Sequence, residues 1–183
     1  SMLAVWALSE LQLPDHPRVT MLWTTDEEIG SETSRAAIET FARESRAVLV
    51  LEPSLPGGAV KTSRKGCGEF ELTISGVSAH AGLDPTKGAS AIHELAHQIV
   101  AITALQHPAR GVTLNVGRIS GGSRTNVVAD VARASIDVRV PTMADAAILE
   151  TALRGLRPRL AGTHLELRGG VGRPPLERSE VVI

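Results

Sequence analysis

Glu69-Phe70-Glu71-Leu72-Thr73-Ile74-Ser75 alternates polar side chains with Phe70, Leu72 and Ile74. Successive side chains of a strand point to opposite faces, so this stretch reads as a strand with one buried face and one wet face. Downstream, residues 88–105 read as a helix with Ile92, Leu95, Ala96, Ile99 and Ile102 on one stripe. Residues 112–119 and 127–140 read as strands separated by Ser120-Gly121-Gly122-Ser123. Thr142, with Asp145 three residues on, is close to a capping box. It opens a helix over 142–160 whose stripe is Leu149, Leu153, Leu156 and Leu160. Residues 164–167 form the last strand. Strand, helix, strand, strand, helix, strand is the order of a ferredoxin-like α+β sandwich, here spanning residues 63–171.

Upstream the periodicity differs. Residues 3–13 place Ala4, Ala7, Leu8 and Leu11 on one helical face ahead of Pro14. Residues 19–23 and 47–51 are short apolar runs that read as buried strands. Residues 31–44 form a helix between them, with Ser31 at its N-cap. Alternating helices and fully apolar strands belong to a parallel α/β sheet. Two such strands are too few for a sheet covered on both faces. Residues 1–62 are therefore expected to be a slice of a larger α/β domain. Residues 53–68, rich in Pro, Gly, Ser and Lys, mark the crossing between domains, and residues 172–183 look like the return.

Composition narrows the function. The 183 residues are 43% hydrophobic and 21% charged, with a formal net charge of -1. That balance gives no reason to expect nucleic acid or an anionic membrane as partner. Two Trp, two Phe and no Tyr leave few platforms for base stacking. The single cysteine, Cys67, cannot form an internal disulfide, so a reducing, cytoplasmic setting is permitted. No apolar run approaches membrane-spanning length.

Thr24-Thr25-Asp26-Glu27-Glu28-Ile29-Gly30 follows the first apolar run and carries three consecutive carboxylates. Like charges this close raise one another's pKa, and a bound divalent cation is the usual remedy. At the carboxyl end of a strand they would face the crevice where open α/β sheets bind ligands. Two other motifs carry less. His93-Glu94-Leu95-Ala96-His97 matches a zinc-protease helix. Its histidines fall on the water side of their helix, however, and Val100 and Thr103 stand where the longer motif wants Gly and His. Gly57-Gly58-Ala59-Val60-Lys61-Thr62 lacks the Gly-Lys-Ser/Thr core of a phosphate loop.

Order along the chain adds weight. Glu27-Glu28 follows the first apolar run and Leu51-Glu52-Pro53 the second. Gly76-Val77-Ser78-Ala79-His80-Ala81-Gly82 follows the first strand of the small domain. Gly121-Gly122-Ser123-Arg124-Thr125-Asn126-Val127-Val128 sits in a later turn, and Asp137-Val138-Arg139 ends the next strand. In these five motifs the chain resembles the di-zinc metallopeptidase family of aminoacylases, desuccinylases and glutamate carboxypeptidases, and most closely the glutamate carboxypeptidase branch. The resemblance implies a catalytic domain followed by a ferredoxin-like dimerisation (lid) domain. It implies a two-zinc centre hydrolysing the amide bond of a small peptide or N-acyl amino acid next to a C-terminal residue. Glu27 would be the general base, and Glu28 and Glu52 would ligate one zinc each. His80 would reach into the active site of the dimer partner to stabilise the oxyanion. Asn126 and Arg139 would hold the substrate, while Gly121 and Gly122 let the backbone turn close to the site.

The family also uses a His-x-Asp, a bridging Asp and a late His. His16 is followed by Pro17 and Arg18, and none of the three ligand motifs is present. The expectation is an internal fragment, inactive by itself, of a homodimeric zinc hydrolase. Aminoacylase, desuccinylase or aminopeptidase activity on the same fold is an alternative, as is a role as a dimerisation module alone.

Overall fold

The computed structural model describes residues 2–11 and 18–180. The chain divides into two compact units, Ser1–Ala59 and Val60–Ile183.

The first unit carries helix α1 (Met2–Glu10), a 3-10 turn (Glu27–Ile29), helix α2 (Arg35–Arg43) and a second 3-10 turn (Pro56–Gly58). Pro14 and His16 lie outside the described residues. The strands expected at 19–23 and 47–51 do not form. Their side chains are exposed, Trp23 at 74% and Leu49 at 83%. A strand needs a neighbour for its N–H and C=O groups, and none stands beside these segments among the described residues. Helix α2 begins later than expected. Ser31 adopts a left-handed φ of 56°, and Ser34 takes the N-cap position instead.

The second unit carries β1 (Gly66–Ser75), α3 (Ala91–Thr103), β2 (Thr113–Gly121), β3 (Val131–Val140), α4 (Met143–Arg154) and β4 (His164–Arg173). The sheet order is β2-β3-β1-β4, and every neighbouring pair is antiparallel. This is the ferredoxin-like α+β sandwich read from the alternation at 69–75. Phe70, Leu72 and Ile74 of β1 and Ala132, Ala134, Ile136, Val138 and Val140 of β3 pack against Leu95 and Ile102 of α3 and Leu149 and Leu153 of α4. The opposite sheet face is polar, with Glu71, Thr73, Arg133, Glu166 and Arg168 around one shallow depression. The expected cap of α4 is present: the Thr142 hydroxyl accepts the Asp145 N–H at 3.0 Å. The helix stops at Arg154 rather than Leu160, because Gly155 caps it and Pro158 cannot continue it. Strand β4 runs six residues past the expected end, and Leu176 then pairs with Arg64.

Helix α3 is rotated from its expected face. Ala91, Glu94, Leu95, Gln98 and Ile102 point inward, while Ile92, His93, Ala96 and His97 are exposed. Glu94 is fully buried. Its carboxylate accepts from Gln98 Nε2 at 2.6 Å, from the N–H groups of Arg159 at 3.0 Å and Leu160 at 2.7 Å, and from the Thr163 hydroxyl at 3.3 Å. Burial pushes the Glu94 pKa up, but these hydrogen bonds outweigh it and hold it below the ordinary 4.5. The glutamate of the apparent zinc motif is thus a bolt between α3 and the segment after α4.

Glu94→Ala is expected to destabilise the protein by about 3 kcal/mol, since it leaves buried N–H groups unpaired. His93→Ala should fall within about 0.5 kcal/mol of wild type, as exposed positions do. Because the folded pKa is depressed, the carboxylate's contribution is complete above pH 4.5 and is lost as pH falls through the folded value. Urea unfolding of both variants at neutral and acidic pH checks all three statements.

Candidate active site

The three consecutive carboxylates are not equivalent. Asp26 is buried and turned toward the start of α2. Its Oδ2 accepts the Thr33 N–H at 2.9 Å, the Thr33 hydroxyl at 2.7 Å and the Ser34 N–H at 3.0 Å. The Ser34 and Thr33 side chains, with those N–H groups, hold its carboxyl far below the usual range despite burial. The charge on Asp26 is thus stabilised by N–H groups at the start of α2. Glu27 and Glu28 stay exposed on the 3-10 turn. Gly30 ends that turn at φ 100°, its N–H donating to the Glu27 carbonyl at 2.9 Å. Asp26 thus anchors the turn that presents the two glutamates outward.

Glu52 lies on an exposed irregular segment of the same unit, its N–H donating to the Val50 carbonyl at 3.0 Å. Among the described residues, no group of three or more His, Cys, Asp or Glu is placed to hold a metal. Carboxylate oxygens suit zinc, but a catalytic zinc takes three protein ligands. Glu28 and Glu52 alone do not make that set. The physical reason lies in the missing ladder. Adjacent parallel strands would bring their carboxyl ends to one edge of a sheet, and residues 19–23 and 47–51 have no sheet to align them.

In the second unit the structure does bring predicted residues together. The loop after β1 and the turn before β3 are stitched by the Ala81 N–H on the Asn126 carbonyl and the Val128 N–H on the Ala79 carbonyl, both 2.9 Å. His80 and Val127 form a bridge. The His80 side chain is exposed, and its Nδ1 accepts the N–H groups of Gly82 and Leu83, each at 3.1 Å. With Nδ1 accepting, the ring proton of the neutral imidazole sits on Nε2, which is left as an outward donor. Gly121 and Gly122 lie at this same end of the sheet. A Cβ on Gly121 would stand 2.9 Å from Ala132 Cβ, and Gly122 has φ 71°.

Arg139 sits elsewhere, near the far end of β3, paired with Cys67 and Thr113. At roughly 3.3 Å per residue, the stretch from Val131 to Arg139 spans roughly 25 Å. Asp137 grips the guanidinium through Nε and Nη2, both at 2.9 Å, and raises its pKa. That grip fixes the plane of the guanidinium, and among the described residues no hydrogen-bond partner stands on its Nη1.

The sequence profile of the peptidase dimerisation domain of M20 enzymes matches residues 62–162. The chain belongs to the M20 peptidase family. The matched segment covers β1 through α4 of the ferredoxin-like unit and ends just before β4. The chain is 27% identical over 176 residues to carboxypeptidase G2 of Pseudomonas sp. (strain RS-16), covering 94% of this chain and 42% of that enzyme. Among solved structures its fold resembles that of the aminopeptidase PepT from Bacillus cereus, with a TM-score of 0.64 and 23% identity over 82% of this chain and 42% of that one. It also resembles the aminobenzoyl-glutamate utilization protein from Klebsiella pneumoniae, with a TM-score of 0.50 and 26% identity over 60% of this chain and 29% of that one. The chain spans less than half the length of these relatives.

Two structural residues escaped the sequence reading. Asp26 passed for a third site acid, although Thr33-Ser34 just before the α2 apolar positions are the partners a helix-start acid needs. Glu94 passed for part of a solvent face, although Gln98 one turn on is an i,i+4 hydrogen-bonding partner. Among the described residues, no helix is long and apolar enough to cross a membrane.

Proposed function

We propose that this chain is part of a zinc-dependent M20 hydrolase that cleaves the amide bond of a small peptide or N-acyl amino acid beside a C-terminal residue. Two names support the substrate class: carboxypeptidase G2 and an aminobenzoyl-glutamate utilization protein. Both point to a free α-carboxylate, with glutamate the first substrate to try. Glu27 is the base that takes a proton from the attacking water. Glu28 and Glu52 are two ligands of a two-zinc centre whose remaining ligands are not among the described residues. Asn126 and the Nη1 edge of Arg139 bind substrate, Arg139 through the carboxylate, beside the tight Gly121-Gly122 turn. We place the protein in the cytoplasm, which its lone Cys67 permits.

The observation that carries this reading is the separation of His80 and Asn126 from Arg139 by most of the length of β3. One small domain cannot lay both ends of a 25 Å strand on one small substrate (~25 Å from the rise per residue). A two-fold dimer resolves this, with His80 Nε2–H and Asn126 coming from one protomer and Arg139 from its partner. The pairing surface we assign is the β2 edge together with the outer face of α3, where Ile92, Val100 and Ile119 are exposed. Aminoacylase, desuccinylase and aminopeptidase activities are separated from this reading by profiling the complete enzyme on N-acyl amino acids, peptides with a free C-terminus and peptides with a free N-terminus. Loss of all turnover on amidating the C-terminal carboxylate is expected. Full turnover on the amide would overturn the carboxypeptidase reading.

The 183-residue chain itself is expected to bind zinc no better than weakly, with a Kd above about 10 µM, because two carboxylates fall short of the ligands zinc needs. Calorimetric titration checks this, and stoichiometric sub-micromolar binding would contradict it.

A further inference from the structure

A four-stranded sheet has two edges, here β2 and β4. An exposed edge is a row of unpaired backbone groups ready to add another strand. The two edges of this sheet differ. Opposite the Cys67–Glu69 stretch, the β4 ladder shifts register, and Gly169 takes φ 99°. At that shift two side chains of α4 reach the strand backbone. Glu150 Oε1 accepts the Val171 N–H at 2.8 Å, and Arg154 Nη2 donates to the Gly169 carbonyl at 2.9 Å. Glu150 and Arg154 are one helical turn apart, so a single face of α4 holds both. Arg154 and Arg157 also flank Leu165 and Leu167 in one shallow groove. Among the described residues, no side chain hydrogen-bonds to the backbone of β2, and Ile119 at its end is 67% exposed.

We infer that Glu150 and Arg154 close the β4 edge by occupying the Val171 N–H and the Gly169 carbonyl, and so restrict strand pairing between copies of this chain to β2. This rests on the β2 dimer proposed above and adds what limits it. A sheet with two open edges can join β2 of one copy to β4 of the next, a head-to-tail contact that does not close. With the far half of β4 blocked, β2 is the edge left open along its whole length among the described residues, and a β2–β2 pairing is isologous and stops at two copies. A closed dimer is also what an active site shared between two protomers requires. The two α4 side chains act as edge guards, a use of helix charges distinct from surface ion pairing.

The test compares the 183-residue chain with its Glu150→Ala/Arg154→Ala variant by sedimentation and hydrogen exchange over a range of concentrations. The variant is expected to lose at least about tenfold of the exchange protection at Val171. Its average mass should at least roughly double as concentration rises, while the wild type stays constant. Adding Val171→Pro, which removes the N–H an incoming strand would use, should return the mass to that of the wild type. A folded variant whose mass matches the wild type at every concentration overturns the inference, as does growth that Val171→Pro fails to reverse. Should the double variant lose its helical circular dichroism, Arg154→Ala alone is measured in its place, with the same masses and protection factors deciding for or against the closed edge. A monomeric wild type beside an assembling variant would sink the β2 dimer and leave the closed edge standing.

Discussion

Glu27→Gln in the complete enzyme is expected to lower kcat by about 10²- to 10⁴-fold, the range for removing a positioned general base, while KM stays near its wild-type value. Glu27 is exposed on a turn whose geometry does not depend on its own carboxylate. Asp26 binds the start of α2, and the Gly30 N–H closes the turn on the Glu27 carbonyl. The amide of Gln is isosteric and should leave that turn intact. It cannot accept a proton near neutral pH, so the loss belongs to the proton transfer. Steady-state kinetics with the wild-type and Gln enzymes decide it. A kcat within a few-fold of wild type would remove Glu27 from the mechanism. Asp26→Asn is the contrasting change. It weakens the anchor of the turn, so its defect should appear in thermal stability as well as in rate.

The second large effect tests where His80 works. His80→Ala is expected to lower kcat by about 10²- to 10³-fold, the range for losing one oxyanion donor. The two backbone N–H groups on Nδ1 make Nε2 the donor, so His80→Gln, whose amide nitrogen can reach a similar place, should recover part of the loss. The mixed dimer is the sharper measurement. If His80 serves the partner's site, a Glu27→Gln subunit paired with a His80→Ala subunit contains one site with both residues intact and one site with neither. Such heterodimers should regain about half the wild-type activity, as two-fold symmetry dictates. If both residues served the same subunit, every site in the mixed dimer would lack one of them and nothing would be regained. Co-purifying differently tagged subunits and assaying the heterodimer separates the two arrangements.

The small domain was legible because its signals are local. A period of two at 69–75, a capping pair at Thr142 and Asp145, and glycines at 121 and 122 each act over a few residues. Together they leave few topologies for two helices and four strands. The limits of that legibility are equally physical. Helix α3 carries enough apolar residues for two adjacent faces. Periodicity favours Ile92 and Ala96, while the molecule buries Glu94 and Gln98 because the segment after α4 supplies partners for both: N–H groups of Arg159 and Leu160 for the Glu94 carboxylate and the Arg157 carbonyl for Gln98 Nε2. The end of α4 was misplaced for a related reason, since its leucine stripe continues past Gly155 although the helix does not.

The proposed site residues divide along the same line. Glu27, Glu28, Glu52, His80, Asn126 and Arg139 were found as ordered motifs, and residue type alone marks them as acids, donors and a carboxylate fork. Convergence is another matter. His80 and Asn126 come together because two loops exchange backbone hydrogen bonds at one end of β3, and no sequence spacing encodes that exchange. The glutamates of the first unit depend on strand alignment that residues 19–23 and 47–51 cannot achieve without neighbours.

By itself, then, the sequence determined the ferredoxin-like sandwich and its caps and turns, and it supplied the residue types of the proposed site, since all of these follow from short-range periodicity and side-chain chemistry. Only the tertiary structure decided that Asp26 and Glu94 serve as hydrogen-bond anchors, that Nε2 is the donating atom of His80, and that His80 and Arg139 stand at opposite ends of one strand. Those facts depend on which backbone groups distant segments present to one another, and a linear string does not contain them.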